Sequence, residues 1–209
     1  MRYNELTFQG RNAVLEAFRS GKTIDKLFIL DGCQDGPIKS IVREAKKTDA
    51  IINYVDKERL DRLAGTGHHQ GVVAIGAAYE YAEVDDILAS AKEKGEDPFI
   101  FILDEIEDPH NLGAIIRTAN LAGAHGVIIP KRRAVGLTAT VAKTSAGAIN
   151  YTPVAKVTNI SQTIEELKKQ GLWFVCADMG GETMYNLNLK GPIGLVIGNE
   201  GNGVSRLVK

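Results

Sequence analysis

The seven residues Asn111-Leu112-Gly113-Ala114-Ile115-Ile116-Arg117 follow directly on an acidic loop, Asp104-Glu105-Ile106-Glu107-Asp108-Pro109-His110. On a helix starting near Asn111, residues Leu112, Ile116, Ala119 and Gly123 share one face, and Arg117 projects from the opposite one. Gly113 lies one turn before Arg117, where the lack of a side chain would let the backbone of a ligand come close. A guanidinium beside a helix N-terminus suits a phosphate. The plainer alternative is that Asn111 caps the helix and Arg117 is solvated.

A second segment, Leu195-Val196-Ile197-Gly198-Asn199-Glu200-Gly201-Asn202-Gly203, runs from an apolar strand into a turn with three glycines. Such a turn brings backbone N–H and C=O groups close to whatever sits on it. Its G-x-x-G-x-G spacing, late in the chain, is not the dinucleotide fingerprint, which disfavours a nucleotide-cofactor oxidoreductase. In a third segment, Val175-Cys176-Ala177-Asp178-Met179-Gly180-Gly181, Asp178 either accepts hydrogen bonds from a ribose or an amine or stabilises its own turn.

These segments must be held by regular elements. Apolar runs at 98–103, 126–129, 172–177 and 193–197 lack alternation, as strands buried on both faces of a parallel sheet do. Between them, 111–123, 137–146 and 160–170 read as helices, so the second part of the chain is expected to be a parallel α/β sheet covered by helices. Ligands bind such sheets beyond the carboxyl ends of the strands, where the three segments fall. The first part alternates differently: a helix capped by Asn12 through Phe18, a strand at 26–30, a helix opened by Pro37 through Lys47, a strand at 51–55, a short helix capped by Asp56 to Ala64, and a strand at 71–78. Residues 1–79 thus suffice for one small domain, 80–97 with a helix at 84–94 are expected to form a linker, and 98–209 form the second domain.

The 209 residues are 44% hydrophobic and 24% charged, typical of a globular protein, and no apolar run approaches the roughly 20 residues that span a bilayer. The N-terminus lacks the basic start and apolar core of a secretory signal, so the protein is expected to be cytoplasmic, with no membrane partner. Cys33 and Cys176 match no metal-ligand spacing and are expected to be reduced thiols; no metal is expected, His68 and His69 show no partner that would make a metal site, and His110 lies in a loop suited to catalysis although a lone histidine is more often structural. A net charge of -1 means that any nucleic-acid contact comes from a local patch.

Asp108-Pro109-His110-Asn111-Leu112-Gly113 with Arg117, followed in order by Gly198-Asn199-Glu200-Gly201 after a strand, resembles the first two motifs of the SpoU/TrmH branch of the SPOUT superfamily, the RNA 2'-O-ribose methyltransferases. The likeness extends to Lys143-Thr144-Ser145-Ala146-Gly147-Ala148. Gly10-Arg11-Asn12-Ala13-Val14 and His69-Gln70-Gly71 are similar to the L30e-like substrate-binding domain of this family. Within the family the likeness is greatest to the bacterial enzymes that methylate a guanosine of 23S ribosomal RNA.

The resemblance implies an N-terminal L30e-like α/β domain, a C-terminal parallel-sheet domain with a trefoil knot, a homodimer formed through that domain, and S-adenosylmethionine (AdoMet) as methyl donor. It implies catalytic roles for Asn111, Arg117 and Glu200, and a cofactor site at Ala177, Asp178, Ile197, Gly198, Asn199 and Gly201. RNA contacts are expected from Lys131, Arg132, Arg133 and Lys143, and from Arg11 and Lys22 in the first domain. The family's third motif, a Ser-Leu-Asn-type segment, is expected beyond Lys209, with the chain interrupted in mid-helix after Val204 and the knot incomplete. Two other readings stay open: a transfer-RNA 2'-O-methyltransferase of the same family, and a catalytically silent RNA-binding protein of this fold.

Overall fold

A computed structural model describes residues 6–48, 50–65 and 67–209. They divide into two compact units, one running through Glu80 with Gly136–Ala139 added, the other comprising Tyr81–Val135 and Thr140–Lys209.

In the first unit β1 (Leu6–Gln9), β2 (Ile24–Leu30), β3 (Ile51–Val55) and β4 (Val72–Gly76) form one sheet in the order β1-β4-β2-β3. Only β2 and β3 are parallel; β4 runs antiparallel to both of its neighbours. Helices α1 (Arg11–Arg19) and α2 (Gly36–Lys47) bury Val14, Ala17, Phe18, Ile38, Ile41 and Ala45 against Leu27, Ile29, Val72 and Ala74. Helix α3 (Lys57–Ala64) places Leu60 on the other face with Phe28, Val55 and Val73. The side chain of Asp35 caps α2 and that of Asp56 caps α3. Asn12 does not cap α1: the N-cap is Gly10, and the Arg11 N–H donates to the Gln70 side chain at 3.1 Å.

Buried His69 fastens the loop before β4, its Nδ1 accepting from Gly71 N at 3.0 Å and its Nε2 lying 2.8 Å from Asp61. Hydrogen bonds from Lys57 and then His69 hold the Asp61 carboxyl below the usual carboxylate range. A depressed folded-state pKa gives stability that is present above the unfolded value and lost as pH falls through the folded one. The first unit is therefore expected to lose stability on the acid side of the usual carboxylate range. Urea midpoints against pH should show a shallower acid limb for Asp61→Asn, and identical limbs would remove Asp61 as its source.

The second unit is a five-stranded, wholly parallel sheet in the order β7-β6-β5-β9-β8: β5 (Phe99–Leu103), β6 (Gly126–Pro130), β7 (Val154–Val157), β8 (Trp173–Ala177) and β9 (Ile193–Ile197). Ile100, Ile102, Ile128, Ala155 and Val196 meet helices α4 (Val84–Lys94) and α7 (Ile160–Lys169) on one side through Ile87, Ile160, Ile164 and Leu167. Helix α5 (Pro109–Leu121) buries Leu112, Ile116 and Ala119, and α6 (Ala139–Thr144) buries Val141 and Ala142.

Segment 80–97 is not a free linker. Ile87 and Ala91 of α4 are fully buried, Ala82 pairs with Ala155, and Ala82 N donates to Val154 O at 2.9 Å, which makes the segment a covering layer of the second unit. The helix expected at 137–146 is confined to α6, and after Val204 the backbone makes turns rather than a helix.

Candidate functional site

In the second sheet the chain moves outward from β5 through β6 to β7, crosses to the opposite edge at β8, and returns to the centre at β9. β5 and β9 are therefore neighbours at the point where the order reverses, and in open α/β sheets ligands bind beyond the carboxyl ends of the strands at such a point. The acidic loop leaves β5 there, the glycine turn leaves β9, and Ala177 at the end of β8 lies in register with Ile197.

The glycine turn is tightly determined. Asn199 N donates to Gly203 O at 3.1 Å, and Gly203 N donates to Asn199 O at 2.8 Å. The Asn199 side chain accepts from Gly201 N at 2.8 Å and donates through Nδ2 to Glu105 O at 3.0 Å, tying the turn to the loop after β5. The Asn199 amide is thus used at both ends inside the protein. The glycine at 198 is required by the backbone itself: a Cβ there would lie 2.1 Å from Gly203 C and 2.2 Å from Val204 N.

Glu200 at the tip of this turn is exposed, yet its Oε1 accepts from Asn111 Nδ2 at 2.9 Å. Residues 89 positions apart are thereby joined, and the two motifs become one polar site. Asn111 does not cap α5; Asp108 does, accepting from His110 N at 2.8 Å, with Pro109 in the first turn. Arg117 stands two turns further along α5 and is exposed.

Gly113 does not leave room for a ligand. It is buried under α6, where a Cβ would meet Thr144 Oγ1 at 1.9 Å and Ser145 N at 2.9 Å. The missing side chain lets two helices touch, and Thr144 Oγ1 reaches Pro109 O at 3.3 Å in the same contact. Gly113→Ala is expected to cost about 1–3 kcal/mol through overpacking. A calorimetric scan checks this, and an unchanged transition of the second unit would refute it.

Two groups that the sequence reading passed over complete the scaffold. Buried Asp104 accepts from Ser205 N at 2.7 Å, and Glu105, at φ 59°, takes an ion pair from Arg133 at 2.7 Å. Their signal was the acid pair directly after a buried strand. The Lys209 ammonium pairs with Asp178 and holds its carboxyl below the ordinary value, so Asp178 is both an exposed acceptor and part of a turn contact. Burial, followed by the charge of Asp178, pushes the Cys176 thiol up.

Of the expected RNA contacts, Lys22, Arg132 and Lys143 are exposed and Lys131 is half-buried. Arg133 is engaged by Glu105 and Arg11 by Asp35, so neither is an uncompensated charge. Among the described residues no group of three or more His, Cys, Asp or Glu could hold a metal ion.

Residues Ala177, Asp178, Ile197 and Gly198 offer an exposed strand end, a carboxylate and a closely packed glycine at adjacent carboxyl ends. This donor set fits a nucleoside bearing an amine, with Asp178 as acceptor and the small residues as the surface it lies on.

The model of the RNA 2'-O ribose methyltransferase substrate binding domain matches residues 9–82, and that of the SpoU rRNA Methylase family matches 98–209. A Bacillus subtilis protein assigned to the TrmH family of tRNA/rRNA methyltransferases, YacO, is 52% identical over 96% of this chain and 80% of its own length. A Staphylococcus haemolyticus protein assigned to the same family is 48% identical over 98% of this chain and 82% of its own length. Among solved structures, an AdoMet-bound rRNA methyltransferase from Sinorhizobium meliloti superposes with a TM-score of 0.52 at 23% identity, covering 95% of this chain and 73% of that one. The SpoU methyltransferase AviRb from Streptomyces viridochromogenes, in complex with AdoMet, gives 0.53 at 21% identity over 96% of this chain and 75% of that one. These two share the fold. With the family model covering more than half of its residues and relatives near half identical along almost its whole length, the chain belongs to the SpoU rRNA Methylase family.

Proposed function

We propose that the protein transfers a methyl group from AdoMet to the ribose 2'-hydroxyl of a guanosine in 23S ribosomal RNA, acting as a homodimer in the cytoplasm. The observation that carries this reading is the Asn111–Glu200 hydrogen bond at the switch point, which gathers the two family motifs into one site. Membership of the family supports the reaction, and the AdoMet-bound neighbours support the donor.

When bound, AdoMet supplies an electrophilic methyl carbon on a sulfonium. The protein has to align the ribose oxygen behind that carbon, and positioning of this kind supplies much of the rate. Ala177, Ile197 and Gly198 would hold the donor's nucleoside, and Asp178 its polar groups. A guanidinium keeps its proton at neutral pH and is a poor general base, which sets what Arg117 can do. Its role is electrostatic: as the 2'-hydroxyl proton passes to solvent water, the guanidinium holds the adjacent RNA phosphate and stabilises the alkoxide that develops at the 2'-oxygen. Glu200 fixes the Asn111 amide through their hydrogen bond, leaving the remaining Asn111 donor and acceptor for the ribose.

Label transfer from methyl-tritiated AdoMet to separate transcripts of 23S rRNA, 16S rRNA and transfer RNA, using the full-length protein, tests this. Label confined to 23S rRNA is expected. Label in transfer RNA alone would move the substrate to the family's other branch, and label in none would leave an RNA-binding protein without activity.

A further inference from the structure

Among the described residues four other than glycine adopt a positive φ, and two of them are partners in one ion pair: Glu105 at 59°, just after β5, and Arg133 at 55°, just after β6. Residues other than glycine occupy this region at a cost, and they persist there where the surroundings over-determine them, most often at functional sites. The surroundings here are two neighbouring loops and a turn. Arg133 Nη1 donates to Glu105 Oε1 at 2.7 Å, and Val135 N donates to Ile106 O at 2.9 Å, so the loops after β6 and β5 are joined twice. Glu105 O then accepts from Asn199 Nδ2 at 3.0 Å, which joins the loop after β5 to the glycine turn after β9. Strands β6, β5 and β9 are adjacent in the sheet, so one line of bonds crosses three successive carboxyl ends.

We infer that Arg133 is a positioning residue for methyl transfer and not a phosphate contact: through Glu105 it holds the loop after β5, and through Asn199 the turn that carries Glu200 to Asn111. The inference rests on the reading of the protein as a methyltransferase and gives this member of the basic triplet a task within the site.

The charges around Arg133 favour this role. Glu105 foremost, by hydrogen bond and charge, and then Asp104 and Glu107 by charge, hold the guanidinium above its ordinary pKa. A phosphate arriving there would have to displace a carboxylate at 2.7 Å and enter the field of three acids. Exposed Arg132 is the better phosphate contact of the triplet. The pair itself is solvent-exposed and contributes little to global stability, so its effect is on the direction of the loops. Direction matters at this place, because a small misplacement of aligned groups lowers the rate steeply.

Hydrogen exchange and steady-state kinetics of the full-length protein test this by independent readouts. The amides of Gly201 and Gly203 both donate to Asn199, whose side chain is held by Glu105. Arg133→Gln should speed exchange across 201–203 about threefold, the size of an exposed ion pair. It should lower kcat about tenfold with KM for RNA within about twofold. Arg133→Lys, which keeps the charge, should recover most of both. Arg133→Glu alone sets two carboxylates together and should be worse than Arg133→Gln, whereas the exchanged pair Glu105→Arg with Arg133→Glu should restore both readouts to within about threefold of the unaltered protein. Unchanged exchange in Arg133→Gln would overturn the inference. So would a raised KM at unchanged kcat, or an exchanged pair as impaired as Arg133→Glu, which are the results a direct phosphate contact gives. The expected exchange pattern in a protein that transfers no methyl group would instead sink the methyltransferase reading and leave Arg133 as the residue that holds the turn.

Discussion

Arg117→Lys should lower kcat for methyl transfer about 10²–10³-fold, the usual cost of removing one donor aimed at developing negative charge. RNA affinity should change little, because lysine keeps the positive charge at the same exposed place on α5. An ammonium has neither the fixed fork nor the reach to hold a phosphate and a 2'-oxygen together, so the loss appears in kcat and kcat/KM alike while KM stays near its original value. Single-turnover kinetics with saturating RNA check this. A lysine variant with full turnover would remove Arg117 from the chemical step.

The second large effect is expected at Gly198. The added methyl of Gly198→Ala would meet Gly203 C, Val204 N and Gly203 O at 2.1–2.3 Å, all of them backbone atoms that no rotamer change can move aside. Relief requires displacing Val204, which is buried in the same core as Ile87, Ile100 and Val196. A cost of about 1–3 kcal/mol or more follows from such overpacking, and for a chain of this size each kcal/mol lowers Tm by roughly 2–4 °C. The displacement also pulls Glu200 away from Asn111, so activity should fall further than stability alone would explain. Gly201→Ala is the matched control for stability, since its methyl would meet only Asn199 Oδ1 at 3.4 Å. Equal Tm in the two variants would show that the turn adapts.

Much of the second sheet was legible because a strand buried on both faces must be apolar throughout, as Phe99–Leu103 and Ile193–Ile197 are. Val154–Val157 escaped notice because it is a four-residue edge strand interrupted by Lys156, and Leu6–Gln9 is equally short and half-exposed. The start of α2 was readable from Pro37 and the cap of α3 from Asp56, whereas the first N–H of α1 is satisfied by Gln70, 59 residues away. Gly113 was misread for a related reason. Periodicity shows which residues share a stripe but not which element will press on it, and here that element is α6. The site residues Asn111 and Glu200 were identifiable as motif members, but their hydrogen bond follows from the strand order that makes β5 and β9 neighbours, which no local pattern encodes. The linker expected at 80–97 failed because its charged composition describes only the outer face of α4, while Ile87 and Ala91 face inward.

The central claim is that the methyl group goes to a ribose oxygen. Digestion of 23S rRNA to nucleosides after reaction with the full-length protein and methyl-labelled AdoMet, followed by mass spectrometry, tests it directly. One new nucleoside, 2'-O-methylguanosine, with the label on the sugar fragment, is the expected result. Label on a base fragment would contradict the assignment of the ribose hydroxyl as the acceptor.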